Sequence, residues 1–312
     1  MHLKYIYILF VLSLLLCSCR EDFVSTAEEE SLFAVSLTSE LVSDQEVSAS
    51  LLRTLSFTQK NDEAVLQHAH MMFGGTNLNK GLISMDYNPD RKEYIIDDPE
   101  VKIKEGNTYN IIIESEDADV APVKASTYIP HAVKAREIRK VEVSTVDVGA
   151  GQKKHIIELS IVLNEPIEFP AYYRLVPYRI LSQSTQTGQG TKITDFRKRI
   201  KLDVLEIVAN RSAVTEFVQK EGVYADQSRL DDNEVHLILE TPEPLASNEV
   251  LRLLEVDIYT LTEELYQYND NLDKQIKNSQ ADFSSHTEVF TNVENGYGVF
   301  GGASKNTLLI NL

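Results

Sequence analysis

From Leu32 to Pro130, apolar and polar residues alternate with a period of two, the signature of strands that bury one face. Glu46-Val47-Ser48-Ala49-Ser50-Leu51 follows the pattern, Lys80 to Met85 and Glu93 to Ile96 are short strand candidates, and Thr108 to Glu114 is the clearest strand. Turn chemistry at Gly74-Gly75, Asn88-Pro89-Asp90 and Glu105-Gly106-Asn107 separates them. Several short strands at this spacing predict an immunoglobulin-like β-sandwich over residues 32–130.

A boundary is expected near Ile129-Pro130, followed by a second β-rich domain over residues 131–312. Ile138 to Val148 and His155 to Leu163 read as long strands joined at Gly149-Ala150-Gly151-Gln152, a hairpin signal. Tyr172 to Leu181 and Ile200 to Val208 continue the β pattern, with Ser182 to Thr191 expected as a polar connecting or binding loop. Two helices are predicted. Ser212 would cap a short one carrying Val214, Phe217 and Val218 before Gly222. Thr262 would cap a longer one after strand Val250 to Tyr259, with Glu263 and Glu264 in its first turn and Leu265, Tyr268, Leu272 and Ile276 on one face. The fold class is therefore mainly β, with one or two short helices.

The N-terminus is different. Lys4 precedes the mostly apolar run Tyr5 to Leu16, and Leu16-Cys17-Ser18-Cys19 follows. Twelve helical residues span roughly 18 Å, well short of the ~30 Å hydrocarbon core, so a cleaved signal peptide over residues 1–18 is expected in place of a membrane span. The tetrapeptide reads as a bacterial lipobox, which makes Cys19 the first mature residue and the lipidation site. An ordinary secretory signal with incidental cysteines is the competing reading. Residues 19–31, with Glu28-Glu29-Glu30, read as a hydrated tether. Arg20-Glu21-Asp22 resembles the surface-export signal of Bacteroidota lipoproteins.

Composition narrows the function classes. The two cysteines are Cys17 and Cys19, so the mature chain keeps one thiol, which acylation consumes, and a disulfide framework is excluded. A net charge of −18 repels nucleic acid and anionic lipid alike, so membrane attachment is expected from acyl chains and not from a basic patch. Glycan surfaces often stack sugars on tryptophan; this chain has none, although 14 tyrosines could substitute.

Candidate chemistry is sparse. His68 and His70, two apart, would face one side of a strand and could share a metal with Met71 or Met72, but two imidazoles are a thin ligand set, and a solvated strand face is the plainer reading. Asp86, Asn88 and Asp90 imitate the opening of a calcium loop, yet Arg91 stands where glycine is required and Asp97 where the bidentate glutamate belongs. The chain has no Gly-x-Ser-x-Gly elbow, no His-Glu-x-x-His and no phosphate-cradling glycine loop. Glu116-Asp117 and Asp231-Asp232 sit in polar, turn-like runs, where nothing raises a carboxyl pKa for acid catalysis. The expectation is a non-enzymatic chain without a cofactor.

The C-terminal tail carries a resemblance. Leu265-Tyr266-Gln267-Tyr268, Leu272-Asp273-Lys274-Gln275 and Asn292-Val293-Glu294-Asn295-Gly296-Tyr297-Gly298-Val299-Phe300-Gly301-Gly302 resemble the ending of the family named domain of unknown function 4249. The lipobox, the Thr-Tyr-Asn-Ile-Ile-Ile strand and Ala171-Tyr172-Tyr173-Arg174 fit it as well. Phe33-Ala34-Val35-Ser36-Leu37 departs from the family's usual opening strand, and His68 to Met72 from a plainer one. The resemblance implies a Bacteroidota outer-membrane lipoprotein, often encoded beside a TonB-dependent transporter, and therefore an accessory or binding role. A structural or adhesive surface protein is the alternative. The glycine-rich tail itself reads as a packed irregular loop closing the fold before a strand from Thr307 to Leu312.

Overall fold

The computed structural model describes residues 34–53, 64–79, 81–114, 122–149, 152–188, 190–208, 214–216, 222–245, 248–279 and 288–312. The leader, Cys19, Arg20, Glu21, Asp22 and the tether lie outside the described residues, as do Glu116-Asp117, Ser212, Phe217 and Val218.

The chain is mainly β. Its first seven strands are β1 (Val35–Val42), β2 (Ser48–Arg53), β3 (His70–Gly75), β4 (Ile83–Asn88), β5 (Glu93–Ile95), β6 (Thr108–Glu114) and β7 (Val123–Tyr128). Alternation works as expected. Tyr109, Ile111 and Ile113 of β6 point into the core, and so do Val123, Ala125 and Thr127 of β7. These strands are ordered β1-β2-β5-β4-β3-β6-β7, and Lys124 of β7 bridges to Glu294, just before the last strand.

The second region supplies β8 (Ala135–Gly149), β9 (Gln152–Leu163), β10 (Tyr172–Thr187), β11 (Gly190–Lys201), β12 (Asp203–Ile207), β13 (Val214–Glu216), β14 (Val223–Asp226), β15 (Glu234–Glu240), β16 (Glu249–Val250) and β17 (Leu253–Leu261). Helix α1 (Glu263–Ser279) and strand β18 (Tyr297–Asn311) follow. A four-stranded sheet, β12-β15-β9-β8, faces the main sheet, which runs β13-β14-β10-β17-β18-β1 into the first region. Tyr173, Leu175, Val256 and Ile258 of the main sheet share one core with Ile157, Leu159, Leu237 and Leu239 of the small one.

Strand β18 spans both regions. Its first half pairs in parallel with β1, from Ser36↔Tyr297 to Val42↔Ala303, and its second half pairs antiparallel with β17, from Leu261↔Ala303 to Leu253↔Asn311. Ala303 thus hands over from one partner to the other. The tail is a 15-residue strand, which corrects the irregular loop expected from its glycines. Gly298, at φ +99°, explains why glycine does not end it: a Cβ there would lie 2.0 Å from the Leu37 carbonyl oxygen. At Gly302 a Cβ would lie 2.4 Å from the Tyr128 carbonyl oxygen. Glycine in this strand lets other backbone come close.

Three further expectations are corrected. Ser182 to Thr191 forms no polar loop, because β10 and β11 extend through it as a hairpin that closes at the Thr187↔Gly190 pair. Beyond buried Ser182, its threonines and polar residues suit a ladder that runs out into water, as at Thr185, Gln186 and Thr191. Val214 to Glu216 is strand β13 against β14, not the start of a helix, and Val214 buries its β-branched side chain in the second core. In α1 the capping by Thr262 is as predicted, with its hydroxyl accepting from the Leu265 amide at 3.4 Å. The buried face, however, is Leu265, Asn269 and Asp273, while Tyr268, Leu272 and Ile276 are only half-buried. Leu265 seats against Gly301, where a Cβ would lie 2.7 Å from its side chain.

Candidate binding face

The main sheet turns its apolar side to the second core, so residues of opposite parity on β10 and β17 form another face. Arg174 of β10 lies beside Tyr259 of β17, and Tyr259 beside Lys305 of β18; Val176, Asp257 and Thr307 form the next row, then Tyr178 and Glu255. Alternation brings these side chains to one side.

Ion pairs and rings lock this face across strands. Arg174 donates to both carboxylate oxygens of Glu40 on β1, at 3.1 and 2.5 Å, and its guanidinium lies 4.3 Å from the centroid of Tyr259. Only 12% of the Arg174 side chain is exposed, and burial alone would make it less basic. The charge of Glu40 and its hydrogen bonds outweigh burial and raise the pKa above the ordinary arginine value.

Asp257 is the second node. Its side chain is 1% exposed and receives Arg199 at 2.5 Å, Lys305 at 3.2 Å and the Thr307 hydroxyl at 2.8 Å. Burial pushes this carboxyl up, but the bonds from Thr307 and Arg199 and the charge of Lys305 prevail and hold it below the usual range. Arg199 also binds Glu255 at 2.5 Å and stacks 3.8 Å over the Tyr178 ring. Around α1, Tyr172 stacks on Tyr266 with centroids 4.4 Å apart. Burial raises Tyr224, Tyr259 and Tyr266 to about 12, so all three stay protonated at neutral pH.

The outcome is a set of cations held over tyrosine faces by carboxylates, with Arg199 and Lys305 still about a third exposed. Such a surface can offer the fixed N–H groups of Arg199 and Lys305 to a polar ligand without reorganising. In the sequence, Ala171-Tyr172-Tyr173-Arg174 stands out only as a family likeness. The available signal was the even spacing of Arg174 and Tyr178, four apart, against Glu255, Asp257 and Tyr259, each two apart, which becomes informative only once β10 and β17 are known to be neighbours.

The residues singled out from sequence lie elsewhere. His68 precedes β3 in a bend, while His70 opens the strand, is exposed, and sits 3.8 Å from Glu114. The pair does not share a strand face, which corrects that expectation, and Met71 is fully buried in the first core. No group of three or more metal-ligating residues gathers among the described residues. Asp86 and Asn88 belong to the end of β4, the Asn88 carboxamide accepts from the Asp90 and Arg91 amides at 3.0 and 3.1 Å across the turn that follows, and Arg91 pairs with Glu46 and Glu93. Asp231-Asp232 occupies a short 3-10 turn in which Asp232 adopts φ +53° and faces Arg139 at 3.6 Å.

The family model described as a domain of unknown function, DUF4249, matches residues 22–308. The chain belongs to that family. No curated protein matches it. The matched span takes in all the residues of the polar face, from Glu40 to Thr307, so this DUF4249 chain carries its face within the family domain. Among the described residues, no helix is long and apolar enough to cross a membrane.

Proposed function

We propose that this DUF4249 chain is a non-enzymatic binding protein of a Bacteroidota outer membrane, anchored by lipid on Cys19. In this reading Arg20-Glu21-Asp22 directs it to the extracellular side, where it serves as an accessory to a TonB-dependent transporter by holding the transporter or its substrate. The anchoring half rests on Leu16-Cys17-Ser18-Cys19 and on the tether that follows. The binding half rests on one observation: Arg174, Arg199 and Lys305 are fixed over Tyr259 and Tyr178, and Arg199 and Lys305 are still about a third exposed. The first region fits an immunoglobulin-like sandwich on the same terms, since β1-β2-β5-β4 and β3-β6-β7 follow the ABED and CFG strand orders of that fold.

Copurification tests the reading. Tagged chain extracted from its own membranes in mild detergent is expected to bring down a transporter barrel. Arg199→Ala combined with Lys305→Ala is expected to lower that yield severalfold. Wild-type protein that never retains a barrel overturns the accessory role and favours a structural or adhesive one.

A further inference from the structure

The second core ends in a polar layer. Beyond Ile157 and Leu239, which face each other across β9 and β15, come His155 and Thr241, whose backbones pair at 3.0 Å. Across the sandwich, Arg179 follows Tyr173 and Leu175 on the inward side of β10, next to Leu254 of β17. Thr241 and Leu254 are fully buried there, and 4% of the Arg179 side chain is exposed.

A guanidinium carries five N–H donors, and burying them without acceptors is costly. Among the described residues Arg179 meets one carboxylate, Glu249, at 3.6 Å, which is beyond hydrogen-bonding distance, and its Nε has no acceptor. His155 Nδ1 is buried and unpartnered in the same layer. The charges around His155 are Arg179 and Lys153, with Glu249 across from Arg179 and the Lys154–Glu240 pair alongside. Burial first, then the charges of Arg179 and Lys153, lower the His155 pKa from its ordinary value.

We propose that Arg179 and His155 form a buried site for a small oxyanion, a carboxylate or phosphate group, at the polar end of the second core. The guanidinium presents its planar fork to two oxygens, and His155 Nδ1 donates to the same anion in its Nδ1–H form. Lys153, exposed on β9, adds positive charge beside the site. An oxyanion supplies what the layer lacks, an acceptor for Nε and Nδ1 together. Glu249, 3.6 Å from the guanidinium, is the group with which it competes.

Calorimetry on the purified full chain, with sodium phosphate and separately sodium acetate titrated against sodium chloride at matched ionic strength, tests this. Saturable binding of phosphate, acetate or both is expected, and the arm that binds identifies the oxyanion class. Arg179→Met should weaken binding at least tenfold while keeping the thermal midpoint, and Glu249→Gln should tighten it. If Arg179→Met fails to fold, Arg179→Lys keeps the charge without the fork and should still lose tenfold. NMR titration of His155 should show its midpoint rising by a unit or more with the anion present. Absence of saturable heat in both arms, or unchanged affinity in the Arg179 variants, overturns the proposal.

Discussion

Asn292 completes Phe300 as a neighbouring strand would: its carboxamide accepts from the Phe300 amide at 3.0 Å and donates to the Phe300 carbonyl at 2.9 Å. One side chain thus satisfies both backbone groups of a fully buried residue in β18. Asn292→Ala is expected to cost about 1–3 kcal/mol in denaturant unfolding, because two buried polar groups lose their partner. Asn292→Asp keeps the acceptor and loses the donor, and should fall between wild type and Ala.

Glycine in the tail acts through close approach. Gly298→Ala, at φ +99° with the Leu37 carbonyl in the way, should cost at least about 3 kcal/mol or prevent folding. Gly188→Ala, in the β10–β11 turn with nothing within 4 Å, should stay within about 0.5 kcal/mol of wild type. Thermal melts of the two variants make the comparison.

The tail also shows how much of this protein was legible. Strands with one wet face, such as Thr108 to Glu114, were readable because alternation is local, and so was the Gly149–Gln152 hairpin turn. The DUF4249 ending was readable as a pattern. That it forms a strand was not, because the groups that require glycine at positions 298 and 302 are the carbonyls of Leu37 and Tyr128, far away in sequence. The same non-locality hid the polar face: Arg174 is 134 residues from Glu40, and Lys305 is 48 from Asp257. The loop expected at Ser182 to Thr191 failed for a related reason, since polar residues in a ladder that runs out into water look like a connector.

The Arg174–Glu40 pair links β10 to β1 and is mostly buried. Glu40→Gln, which leaves Arg174 with a weaker partner, should cost about 3–5 kcal/mol. Glu40→Leu together with Arg174→Met should recover much of that loss, and a double-mutant cycle of unfolding free energies checks the coupling.

Asp257 makes stability depend on acid. Its folded pKa lies below the ordinary value of 3.8, so its contribution is complete above that value and is lost as pH falls through the lower, folded one. The stability gap between wild type and Asp257→Asn should therefore be constant near neutrality and shrink below about pH 3.8. Unfolding midpoints across an acid series measure it. His155 acts in the same direction at higher pH. Its lowered pKa means that the unfolded chain takes up a proton first, so a decline begins as pH drops below 6.5.

Attachment through Cys19 is the premise on which a membrane-held binding role stands. Intact-mass and N-terminal peptide mass spectrometry of the processed protein tests it most directly. A mature chain beginning at Cys19 with diacylglycerol on its sulfur is expected. A free thiol at Cys19, or a mature N-terminus elsewhere, would contradict it.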